Sequence, residues 1–243
     1  MKKIILFFLM TIAFSSCDNE EENGMVTLKF THNWNGTPVT NQDFNDLKFT
    51  NANGEKVSIE RFRYLISNIN IIDSKNYFLI NLKDTSGTEI TITDLQRGTS
   101  DLKFTFGFND TDNLDGIYQD LNSVSFNVPQ MLGGGYHYMQ FDGKYKDNNN
   151  QDANFNYHVI RAVNRTNPDN LALQDTSFEV DLGDIKINNN TIVEIKVNIA
   201  EWFKNPNTWN LNELNTVLMP NFEAQKMMSA NGKTVFSLGE VTQ

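Results

Sequence analysis

Three histidines, His32, His137 and His158, are the whole imidazole complement of this 243-residue chain. Each falls in a stretch that reads as a β-strand, and imidazole is a strong ligand for copper and zinc. The single cysteine, Cys17, stands near the N-terminus in a context that marks it for lipid, which leaves no thiolate for a metal site. Three imidazoles, completed by water or a methionine sulfur, would suit copper or zinc. Alternation along the chain orients them. His158 shares a face with Asn156, opposite Phe155, Tyr157 and Val159, and is expected to look away from the core. His137 shares its face with Met139 and Phe141, which makes Met139 a better accessory sulfur than Met131. His32 ends the apolar face of its strand, at a terminus where a site could be wet. The plainer reading, that each is a lone structural histidine, stays open at this point.

Other chemistry is thinly represented. The chain has no G-x-S-x-G elbow, no P-loop and no H-E-x-x-H pair, so it is not expected to be an enzyme. Asp110–Gly116 resembles a calcium loop but carries Leu114 at the fifth position, and reads as an acidic turn. Gly133-Gly134-Gly135 immediately precedes Tyr136-His137, and is either a flexible turn or a close-approach bulge beside a site.

The elements that must position these residues are strands. Val26, Leu28, Phe30 and His32 alternate with Thr27, Lys29 and Thr31. Similar runs are 47–50, 57–59, 64–72, 77–82, 89–93, 102–107, 123–128, 137–145, 154–163, 177–187 and 191–199, divided by Asn, Asp and Gly clusters. Late in the chain, Leu211, Leu214, Val217 and Leu218 fall at helical spacing. Asn221 can cap a further helix carrying Phe222 and Met227 and closing at Gly232, and 235–238 returns as a strand. The expected fold is all-β, a β-sandwich-like domain with short C-terminal helices.

At the N-terminus, Lys2 and Lys3 precede an apolar run from Ile4 to Phe14, and Ser15-Ser16 lead into Cys17. A run that short has the size of a signal-peptide core, since spanning a bilayer takes about 20 apolar residues. Small residues before a lone cysteine are what a lipoprotein signal peptidase needs. The division that follows is a signal peptide over 1–16, an acidic tether over 17–24 and one β domain over 25–243. The expected address is the outer membrane, lipid-anchored, at the cell surface or facing the periplasm. A net charge of −10 and a pI near 4.7 argue against nucleic acid as a partner. Aromatic residues make up 12% of the chain, and Trp34, Trp209 and several tyrosines could instead stack on glycans or contact a partner lipoprotein.

Several segments together resemble one family. Residues 127–144, NVPQMLGGGYHYMQFDGK, are similar to the central block of the MbnP-like copper-binding family, and FNYHV at 155–159 to the F-x-x-H segment after it. Phe30-Thr31-His32 with Asn35-Gly36, the run from Phe62 to Ile69, Trp202–Pro206 and Asn231–Ser237 match its other blocks in order. The resemblance implies an extracytoplasmic all-β protein that binds copper through His158, His137 and His32, as a partner in copper acquisition or handling. A copper chelate or another lipoprotein would be its counterpart. One departure concerns a tryptophan that some members carry in the central block and that a partner haem enzyme converts to kynurenine. Leu132, Gly133 and Gly134 occupy that stretch here, so the kynurenine route is not expected.

Overall fold

Alternation of apolar and polar side chains decides most of the elements. The structure, a computed structural model, describes residues 23–167 and 170–243. Cys17, the signal segment and nearly all of the acidic tether lie outside the described residues. The strands are β1 (Gly24–Trp34), β2 (Thr37–Pro38), β3 (Phe49–Thr50), β4 (Lys56–Val57), β5 (Arg61–Ser67), β6 (Tyr77–Asn81), β7 (Glu89–Leu95) and β8 (Gly98–Phe106). A short helix α1 (Gln119–Ser123) follows. Then come β9 (Met139–Lys146), β10 (Asp152–Val159), β11 (Ala162–Asn164), β12 (Ala172–Gln174), β13 (Phe178–Ile187) and β14 (Thr191–Asn198). Helix α2 (Phe222–Gly232) and β15 (Phe236–Thr242) close the chain.

Two sheets carry the fold. One runs β15-β14-β1-β2, with β7 also on β1; the other runs β13-β8-β5-β9-β4-β3, with β10 on β9 and β6 on β5. A separate pair joins β11 to β12. Among the strands described, pairing is antiparallel except between β1 and β14, which run parallel from Val26–Thr191 to Asn33–Asn198. The inner faces meet in an aromatic core. Phe30 of β1 lies edge-on to Tyr64 of β5 and Phe104 of β8, and Phe236 of β15 packs on both. Offset and edge-on pairs of this kind add to the area they bury.

Three expectations need correction. The helical spacing over 211–218 does not produce a helix; the segment is a chain of turns. Leu211 and Leu218 each bury separately, and Trp209 donates its indole N–H to the Leu214 carbonyl. Partners distant in sequence hold this segment: the Leu211 N–H reaches Glu55, and the Asn215 carbonyl accepts from Asn156. The expected strand over 123–128 is instead the end of α1 and a loop, where Ser125 adopts a positive φ and Asn127 makes one bridge to Tyr136. The apolar segment 64–72 stops being a strand at Ser67, because Asn68 takes a φ of 52°. Helix α2 forms as its sequence indicates, with the Asn221 side chain accepting from the Ala224 N–H.

Candidate functional site

The site begins with the register of β9 and β10. Gln140 pairs with His158 and Asp142 with Asn156, while Met139 pairs with Val159 and Phe141 with Tyr157. Since faces alternate, Met139, Phe141, Tyr157 and Val159 all enter the core, and Gln140, Asp142, Asn156 and His158 share the outer face. His158 Nε2 lies 2.7 Å from Asp142 Oδ1. Asp142 also accepts from Asn156 Nδ2 at 2.7 Å and pairs with Arg61 Nε at 3.2 Å. Burial works to raise the Asp142 pKa, but the hydrogen bonds from His158 and Asn156 and the Arg61 charge outweigh it and hold the carboxyl below its usual range.

His137 arrives by a different route. It stands just before β9, at the end of the triple-glycine segment. Gly133, Gly134 and Gly135 all take positive φ. At Gly135 a Cβ would stand 2.4 Å from Asn113 Oδ1, so only glycine passes there without displacing that side chain. Asn113 Oδ1 accepts from the Tyr136 N–H at 2.8 Å, and Asp115 accepts from the Gly135 N–H. The 110–116 segment is therefore a clasp on the glycine loop, as its reading as an acidic turn allows. The loop delivers the His137 ring against His158, with centroids 5.3 Å apart and planes at 84°.

Hydrogen bonds fix the tautomer of each ring. His137 Nδ1 is 2.9 Å from the Phe126 carbonyl, which can only accept, so Nδ1 carries the proton. Its Nε2 then bears the lone pair, and it is buried with no hydrogen-bond partner. Burial, reinforced by the neighbouring His158, pulls the His137 pKa down to about 3, so the ring is neutral at physiological pH. The Nε2–H of neutral His158 donates to the Asp142 carboxylate, which leaves the lone pair on Nδ1. An imidazole whose second nitrogen is tied to a carboxylate or carbonyl is the usual arrangement of a metal ligand. Arg63 secures the loop behind His137, donating to Gln140 Oε1 at 2.7 Å and to the Val124 carbonyl at 2.9 Å.

The structure thus brings His137 and His158 together, and it places the other two candidates elsewhere. His32 sits on the inner face, buried, 3.1 Å from the Tyr64 hydroxyl and edge-on to Phe62. Met139 is fully buried in the core, on the face of the sheet opposite His158. Among the described residues, no group of three or more His, Cys, Asp or Glu is gathered as a metal cluster. Asp142, the Phe126 carbonyl and Arg63 are participants that sequence reasoning missed. Asp142 was within reach of the strand pattern, because it shares the outer face once the β9–β10 register is known.

A family model for MbnP matches residues 23–220. The chain belongs to the MbnP family. The MbnP match takes in His32, the glycine loop with His137, strands β9 and β10 and the turns through Pro220, and it ends just before α2. MbnP proteins are associated with copper handling. No curated protein and no solved structure matches the chain.

Proposed function

We propose that this MbnP protein is a membrane-anchored, extracytoplasmic copper-binding protein that holds the metal between His137 and His158. The observation that carries this reading is the His137 Nε2 atom: buried, unprotonated and without a partner, beside a second imidazole. A buried nitrogen lone pair left unmatched is costly, and a soft or borderline metal ion satisfies it. His137 Nε2 and His158 Nδ1 are the two donors, and Asp142 and the Phe126 carbonyl are the groups that orient them. Two neutral imidazoles with no coordinating carboxylate make a donor set that suits copper better than calcium or magnesium.

The lipid on Cys17, and an address in the outer membrane facing the surface or the periplasm, complete the proposal. They rest on the sequence. Among the described residues no helix is long and apolar enough to cross a membrane. A Cys17→Ala variant released from membranes would support the anchor, and protease shaving of intact cells reads the face. The reading as an aromatic glycan platform loses its support, because Trp34, Trp202 and Trp209 are all buried.

The test is copper titration of the protein against a competing chelator, with His137→Ala/His158→Ala alongside. One-to-one binding that disappears in the variant establishes the pair as the site. Equal binding by the variant would move the metal elsewhere and sink the proposal.

A further inference from the structure

His32, on the inner face, opens onto a cavity of its own. On one side of β1, β7 pairs as far as Lys29, and its last contact is the Phe30 N–H to the Thr88 carbonyl at 2.8 Å. β2 takes over at Asn33, with the Val39 N–H reaching the His32 carbonyl at 2.9 Å. Between these two partners the edge of β1 faces a cavity of about 530 Å³. That volume lies within the range of small-molecule sites, about 300–1,000 Å³. Buried Phe30, Val39 and Leu82 give it an apolar lining, and threonine hydroxyls with the side chains of Asn41 and Gln42 make up the polar part.

Charge narrows what could occupy it. Charged residues make up 21% of the chain, yet none lines this cavity. The cavities beside Glu55, Asp142 and Arg97 all include several charged side chains. The one strongly polar ring here is His32, held by Tyr64 and packed edge-on against Phe62. Burial keeps that imidazole neutral, with its pKa lowered to about 4, so it offers a hydrogen bond and no charge. Apolar walls with one or two convergent polar groups are the usual make-up of a site for a small organic ligand.

We propose that the His32 cavity is a second binding site, distinct from the histidine pair, for a small uncharged molecule with an apolar ring and one hydroxyl group. The ring displaces water from Phe30, Val39 and Leu82, and the hydroxyl reaches the polar groups around His32. The sheet separates the two sites, since His32 lies on its inner side and the His137–His158 pair on its outer side. Occupancy of one is therefore independent of the other, and the inference does not rest on the copper reading.

The probe is p-cresol, titrated into the isotope-labelled protein and followed by NMR. Affinity for so small a molecule is expected on the order of 1 mM. The expected result is saturable shifts at His32, Val39 and Leu82, with none at His137 or His158. His32→Gln, which can keep the bond to Tyr64, should weaken binding severalfold. Gln42→Trp, an exposed change at the cavity edge, should block it and serves if His32→Gln folds poorly. Adding copper should leave the p-cresol affinity unchanged. Shifts confined to other residues, or binding untouched by Gln42→Trp, would overturn the assignment. Non-saturating shifts spread over the surface would also overturn it, as binding at high probe concentration only.

Discussion

Acid should destabilise this protein through His32, and the size of the effect follows from its burial. The ring lies in the core with its pKa lowered from 6.5 to about 4 by loss of hydration. Above pH 6.5 the folded and unfolded chains both carry the neutral ring, and it contributes nothing to the pH dependence. Between 6.5 and 4 the unfolded chain takes up a proton that the folded chain refuses, so stability falls as pH falls. Below 4 the loss is complete and stops growing. At pH 5, about 1.5 units below the unfolded value, the loss is about 2 kcal/mol, and it approaches about 3 kcal/mol below pH 4. His137 and the surface carboxylates titrate over overlapping ranges, so the measurement must be a difference. His32→Gln keeps a partner for the Tyr64 hydroxyl but cannot take up a proton. Urea unfolding of the parent and this variant at pH 7.5 and pH 5, read by the fluorescence of the buried tryptophans, isolates the effect. The parent should lose about 2 kcal/mol more than the variant between the two pH values. Equal losses would mean that His32 is not held neutral in the core, and the reasoning would fail.

Four further outcomes are expected. Asp142→Asn, which leaves His158 in place but removes the carboxylate that orients it, should weaken copper binding about 10- to 100-fold in chelator competition. Gly135→Ala forces a Cβ to within 2.4 Å of Asn113 Oδ1 at a positive φ, and should cost about 2–3 kcal/mol by thermal unfolding while displacing His137. Gly36→Ala, also at positive φ but with nothing within 4 Å, should cost only about 1 kcal/mol. Asn221→Ala removes the side-chain cap of α2 and should lower stability by about 1 kcal/mol in urea unfolding.

The sequence by itself determined the class of the fold and much of its detail. Period-two alternation marked β1, β9, β10, β13 and β14 because each has one face against the core, and burial on one face leaves a local signature. The Asn221 cap and the outward direction of His158 were legible for the same reason, since each depends on neighbours within a few residues. The tertiary structure alone decided where those faces meet. Helical spacing over 211–218 misled because Glu55 and Asn156, far away in the chain, fix that segment as turns. The parallel match of β1 to β14 joins residues 165 positions apart, and nothing local encodes it. His137 and Met139 stand two residues apart, yet His137 precedes the strand and turns to His158 while Met139 enters the core. Alternation holds only inside a strand, and the glycine loop, clasped by Asn113 and Asp115, sets where that strand begins. The sequence named the three imidazoles, but long-range backbone pairing chose which two would meet.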